Sequence, residues 1–211
     1  MRSDYRGIGM KLINKFTKSD LIKIPNILCY IRFLLIPFFV ILYIRAVTPT
    51  DYLKAGVIVF VSGLTDFLDG FIARKFNMIT EFGKLIDPLA DKLTQAALIF
   101  VMVVKIKWMF LLLILFVLMQ LFLLIAGIVM LKKGTKLTGA KWFGKVSTSI
   151  FYAVMLVLIT VPTLKESVTN ILILTCGSFL LLSFLLYIKE YIDLYHKLSM
   201  DKIMDNRTIG L

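Results

Sequence analysis

Cysteine, histidine, proline and acidic residues are all scarce in this chain, and each shortage narrows what it can be. There are two cysteines, Cys29 and Cys176, each inside an apolar run, so neither a structural disulfide nor a cysteine-based metal site is expected. The single histidine, His196, sits in the polar C-terminal stretch and is read as solvated. Five prolines are spread thinly: Pro25 and Pro162 fit helix ends, Pro37 and Pro88 fall inside helical runs, and Pro49 lies between two of them. The first residues are polar and basic, with no small-residue cleavage site after a short apolar stretch, so no cleavable signal peptide is expected. No internal repeat is found. Acidic residues number 13 against 25 basic ones, a net charge of +12. That excess does not point to nucleic acid, because the basic residues sit between apolar runs. Charges so placed fix topology and meet anionic lipid head groups.

Apolar residues dominate what is present. They make up 59% of the chain, and the mean hydropathy is +0.89. A soluble domain is about 45–50% apolar. Six long runs, 26–46, 53–73, 84–104, 108–131, 146–164 and 170–188, are each near the roughly 20 residues that cross a bilayer as a helix. The fold class is therefore all-α: a polytopic membrane protein with six transmembrane helices. The short loops make successive helices antiparallel. Residues 24–194 form the six-span domain, and 195–211 a polar, loosely ordered tail. In residues 1–23, Leu12, Ile13 and Phe16 share a face among Lys11, Lys15 and Lys18. An amphipathic helix lying on the membrane is expected there, with an unstructured basic leader as the other reading.

Basic residues also set the orientation. Eighteen lie on the side that holds both termini and the 74–84 and 132–145 loops; five, Arg45, Lys54, Lys105, Lys107 and Lys165, lie on the other. Both termini are expected to be cytoplasmic. Trp108, Trp142, Tyr43 and Tyr52 are read as anchors at the membrane interface.

Four aspartates break the apolar pattern. Asp66 and Asp69 end the second run and, three apart, share a helix face. Asp87 and Asp91 open the third and, four apart, share another. A carboxylate in a span costs roughly 2.5–3.5 kcal/mol at the bilayer centre, so four of them need a reason. Asp66 precedes Arg74 by eight residues, about 12 Å of helix, and Asp91 follows Gly83 by the same interval, so the pairs can face each other across a hairpin. Four carboxylates at one point resist ionising together. A divalent cation relieves the repulsion, and an all-oxygen donor set suits Mg2+, Mn2+ or Ca2+ rather than zinc. Such a metal at a membrane surface points to a phosphate or diphosphate substrate. Gly70, Ala73 and Gly83 leave room for a ligand against the backbone, and Arg74 can pair with a phosphate. Two other readings of the cluster are ion pairing with Arg32, Lys92 or Arg74, and an ion or proton pathway of the kind a transporter uses. A membrane prenyltransferase is a third, with a different aspartate spacing expected.

Taken together, Asp66, Asp69, Gly70, Ala73, Arg74, Gly83, Asp87 and Asp91 fill every fixed position of the pattern D-x2-D-G-x2-A-R-x8-G-x3-D-x3-D. That pattern resembles the signature of the CDP-alcohol phosphotransferase family of membrane enzymes. Pro25, Asn26 and Arg32 are similar to the family's opening segment, and the resemblance runs over roughly 24–190. It implies that Asp66, Asp69 and Asp87, with Asp91 beside them, hold Mg2+ or Mn2+ with the CDP diphosphate. It implies that Asp91 is the general base for the acceptor hydroxyl. Asn26, Gly70, Ala73, Arg74 and Gly83 would lie around the nucleotide. It further implies CDP-diacylglycerol as donor, CMP as leaving group, and a homodimer in the cell membrane with a cytoplasmic active site.

The acceptor is read from the segment Lys141-Trp142-Phe143-Gly144-Lys145-Val146-Ser147-Thr148. It resembles a segment of the family's phosphatidylglycerophosphate synthases, with Ser147 in place of a second lysine. Met119-Gln120 likewise stands where those enzymes often carry an Arg-Glu pair. The same segment resembles the eukaryotic-type cardiolipin synthases, whose acceptor is phosphatidylglycerol. Glycerol 3-phosphate is the first expectation and cardiolipin synthesis the alternative. Lys141, Lys145 and Arg32 are the candidate acceptor-binding cations.

Overall fold

The computed structural model describes residues 22–78, 80, 82–132 and 141–208. The segment in which an N-terminal amphipathic helix is expected lies outside them, except for its last two residues. Six α-helices follow one another in the described residues, with no strand among them: α1 (Ile24–Arg45), α2 (Pro49–Lys75), α3 (Gly83–Val103), α4 (Met109–Lys132), α5 (Trp142–Thr160) and α6 (Glu166–Thr208).

Five of the helices are long and apolar enough to cross a membrane: α1, α2, α4 over Met109–Leu131, α5, and α6 over Glu166–Lys197. The third differs. It is 21 residues long, but Lys84, Asp87, Asp91 and Lys92 crowd its first half. The protein is a multi-pass membrane protein. Its exposed side chains, Leu34, Phe38, Ile41, Phe60 and Leu64 among them, suit a lipid surround.

The helix ends follow from local chemistry. Pro49 occupies the first turn of α2, where its missing N–H costs nothing. Thr48 caps that turn: its Oγ1 accepts from the Asp51 N–H, while the Asp51 carboxylate accepts from the Thr48 N–H at 3.1 Å. At the other end, Asn77 takes φ 52°, a left-handed conformation that asparagine tolerates. The Met78 N–H then reaches back to the Ala73 carbonyl at 3.0 Å, closing the helix where the acidic stretch ends. α6 runs to Thr208, through the residues read from sequence as a loose tail. No glycine or proline interrupts it between Ser178 and Thr208.

The chain divides into two compact units. The first holds α1, α2, nearly all of α3, and Leu156–Thr163. In it, α1 packs antiparallel to α2: Arg32 meets Asp66 and Asp69, and Tyr43 meets Tyr52. α1 turns Pro25, Asn26, Cys29, Arg32, Phe39 and Tyr43 inward, and α2 turns Ala55, Gly56, Val59, Ser62 and Asp69 inward. The small residues on α2 let backbones approach closely. A Cβ added at Gly56 would run into the Thr160 side chain. Tyr43, read from sequence as an interface anchor, is instead buried. Its hydroxyl donates to the Met102 sulfur at 2.9 Å, and its ring packs on Phe39 and Tyr52. Trp108 and Trp142 are exposed.

In the second unit α4 lies parallel to α6, with Phe122 edge-on to Phe184 and Tyr191. The start of α5 packs on α6 through Phe143 and Tyr187, whose ring centroids are 4.7 Å apart. The Tyr187 hydroxyl covers Gly144 so closely that a Cβ there would collide with it.

Candidate metal centre and active site

The polar residues of α1 recur every third position: Asn26, Cys29 and Arg32, each 1% exposed or less. That spacing puts them on one face, and the face lies against the acidic end of α2. Arg32 is the centre of it. One guanidinium nitrogen, Nη1, lies 2.7 Å from Asp66 Oδ1, and the other, Nη2, lies 2.5 Å from Asp69 Oδ2. The planar fork spans two carboxylates one helical turn apart, which a single ammonium would not. Asp69 is buried, while Asp66 keeps about half its side chain open.

The second acidic pair belongs to the same cluster. Asp66 lies within electrostatic reach of Asp87 and Asp91, and Asp69 within reach of Asp66 and Asp87. Asp91 is held by its own helix: Gln95 Nε2 donates to both its oxygens at 3.1 Å, and Lys92 Nζ is 3.4 Å from Oδ2. Lys92 also donates to Gln95 Oε1 at 3.2 Å. A lysine only donates, so this contact fixes which end of the amide is oxygen and leaves Nε2 to face Asp91. Arg32 and Lys92 are the cations paired with these carboxylates, Arg32 with Asp66 and Asp69 and Lys92 with Asp91.

The start of α3 is tied to α1. Thr80 Oγ1 accepts the Gly83 N–H at 2.8 Å and the Asn26 amide at 3.2 Å. A Cβ at Gly83 would stand 2.8 Å from Asn26 Oδ1 and 2.9 Å from Thr80 Oγ1, so only glycine fits without a shift. On α2, Gly70 and Ala73 are half-buried, and the exposed Arg74 folds its guanidinium back beside Gly70.

Cys29 and Gln95 were missed in the sequence. The Cys29 thiol donates to Asp87 Oδ1 at 2.6 Å and lies 3.4 Å from Asp69 Oδ2. These three side chains offer ligand atoms within 4.8 Å of one another. The three-residue spacing from Asn26 through Cys29 to Arg32 was the available signal for one, and the four-residue spacing from Asp91 for the other.

The acceptor candidates belong to different units. Arg32 is committed to Asp66 and Asp69. Lys141 and Lys145 are in the second unit, where Lys141 Nζ is 2.6 Å from Glu190 Oε1 and Lys145 is exposed. Ser147, which stands where a lysine was sought, is buried.

A membrane-embedded helical protein with four clustered carboxylates fits enzymes that act on phosphate esters. The family model of CDP-alcohol phosphatidyltransferase matches residues 22–187, and the chain belongs to that family. Three similar proteins are each named CDP-diacylglycerol--glycerol-3-phosphate 3-phosphatidyltransferase. That of Rickettsia typhi (strain ATCC VR-144 / Wilmington) is 44% identical over 71 residues, 33% of this chain and 39% of its own length. That of Rickettsia prowazekii (strain Madrid E) is 44% identical over 71 residues, 33% of this chain and 38% of its own. That of Escherichia coli (strain K12) is 44% identical over 73 residues, 35% of this chain and 40% of its own. The match thus spans about two fifths of the length of these relatives.

Proposed function

We propose that this protein transfers the phosphatidyl group of CDP-diacylglycerol to a hydroxyl of glycerol 3-phosphate, giving phosphatidylglycerophosphate and CMP. The observation that carries the reading is the convergence of two acidic helix faces around Arg32, in a chain of this family. The acceptor is drawn from the names of the similar proteins.

The donor set suits a hard divalent cation, Mg2+ or Mn2+, held by Asp66, Asp69 and Asp87 with Asp91 beside them. When bound, that cation neutralises the diphosphate and stabilises departing CMP. Arg32 holds Asp66 and Asp69 in place by one oxygen of each, Oδ1 and Oδ2 respectively. Asp91, held by Gln95, takes the proton of the attacking hydroxyl as the new oxygen–phosphorus bond forms and the bond to CMP breaks. Asn26, Thr80 and Gly83 keep the mouth of the α2–α3 hairpin closed up beside the nucleotide, with Gly70, Ala73 and Arg74 along its phosphates. Of the cations expected to bind the acceptor, Arg32 is assigned to the aspartates. The site and both termini face the cytoplasm, and the assembly is a homodimer.

The test is CMP release by the purified protein given CDP-diacylglycerol with glycerol 3-phosphate or phosphatidylglycerol, with the lipid product identified by mass spectrometry. Phosphatidylglycerophosphate is expected. Cardiolipin formed in its place would reassign the acceptor, and ion transport with no CMP from any CDP-alcohol would overturn the enzyme reading.

A further inference from the structure

We propose that Cys29 makes the carboxylate centre a site for thiophilic divalent cations, so that Zn2+ binds there through sulfur and competes with the hard ion. This rests on the proposed metal centre and adds a regulator to it. The all-oxygen set of four aspartates suits Mg2+ or Mn2+, and a sulfur among them changes the preference. Thiolate ligands favour zinc and its neighbours, and zinc stands well above manganese in the general affinity order.

The geometry favours a ligand over a bystander. Cys29 is fully buried, it projects from α1 toward both acidic helices, and it is joined to one carboxylate of each. Sulfur and oxygen ligands on one tetrahedral zinc, at bond lengths of about 2.3 and 2.0–2.2 Å, lie about 3.5 Å apart. Cys29 Sγ and Asp69 Oδ2 are already 3.4 Å apart. Its separation from Asp87 Oδ1 is 2.6 Å, shorter than a thiol hydrogen bond ordinarily is. Replacing the thiol proton with an ion asks the pair to open by about 1 Å, a small side-chain adjustment. The other cysteine, Cys176, is buried on α6 in the second unit.

Purified full-length protein is titrated with Co2+, whose bond to sulfur gives a charge-transfer absorption in the near ultraviolet. Mn2+ binding is followed in parallel by electron paramagnetic resonance. The band is expected in the wild type and in Cys176→Ser. With only two cysteines in the chain, that pair of results assigns the sulfur to Cys29. In Cys29→Ser the band should vanish, and the Zn2+ needed to displace bound Mn2+ should rise about tenfold or more. A protein that binds Mn2+ but gives no sulfur–cobalt band overturns the role of Cys29 and leaves the metal centre standing. Loss of the band in Cys176→Ser, or its persistence in Cys29→Ser, also overturns it. Binding of neither Mn2+ nor Co2+ by the wild type overturns both readings together.

Discussion

Arg32 bridges Asp66 and Asp69, at 2.7 and 2.5 Å, from a position 1% exposed on the neighbouring helix. Its charge is what lets the buried Asp69 stay in place beside other carboxylates. Arg32→Met should destabilise the protein by about 3–5 kcal/mol, the usual loss when one partner of a buried pair is removed. Arg32→Lys should recover only part of this, since a point charge does not span both acids. Thermal unfolding in detergent measures the loss. Mn2+ should stabilise Arg32→Met more than the wild type, because the cation replaces the missing charge. Equal metal effects in the two proteins would separate Arg32 from the metal centre.

Gly83 is limited by contact rather than by backbone angle. Gly83→Ala places a Cβ against Asn26 Oδ1 and Thr80 Oγ1, two atoms held in one hydrogen-bonded knot. Overpacking of this kind costs about 1–3 kcal/mol. Asn26→Ala alone should also destabilise, by breaking the amide's bond to Thr80. The double variant should lose less than the two singles added together, because removing the Asn26 amide makes room for the methyl. Full additivity in unfolding experiments would mean that the two residues do not share this contact.

Much of this was legible in the sequence. Long apolar runs announce helices because lipid leaves the backbone no other partner, and runs such as 26–46 fall close to α1. The acidic pairs were legible because spacings of three and four are short-range geometry. What was hidden depends on one helix meeting another. Cys29 reads as an apolar residue until α1 lies on α2. Arg32 reads equally as an acceptor ligand or an ion-pair partner until the two aspartates are seen on its fork. The start of α2 at Pro49, four residues before the apolar run, depends on the cap between Thr48 and Asp51, a polar signal that hydropathy overlooks.

Orientation can be tested with the native cysteines left in place, because Cys29 and Cys176 are both buried. Lys75 and Val47 are exposed at opposite ends of α2 and its preceding turn, with Val47 84% exposed. The excess of basic residues beside the 74–84 loop predicts that this end is cytoplasmic. In intact cells an impermeant thiol reagent should label Val47→Cys and spare Lys75→Cys, which should react only after lysis. The reverse pattern would invert the protein and put the carboxylate centre on the outer face.

The contact between Gln95 and Asp91 separates a base that reacts from a residue that aims it. Asp91→Asn keeps the shape of the side chain and removes its proton affinity. CDP-diacylglycerol should still bind while turnover falls by at least about 10², the lower range for a lost general base. Gln95→Leu keeps the bulk of a buried side chain but removes the amide that spans both Asp91 oxygens. The carboxylate then has more freedom, so kcat should fall by less than in Asp91→Asn, with the KM for CDP-diacylglycerol little changed. The two effects should not add. Once Asp91 no longer accepts a proton, its orientation carries no further rate, and the double variant should turn over like Asp91→Asn alone. Steady-state CMP release from the four proteins gives the comparison. If Gln95→Leu multiplies its full loss onto Asp91→Asn, Gln95 acts on another group, and the assignment of Asp91 as an aimed base fails.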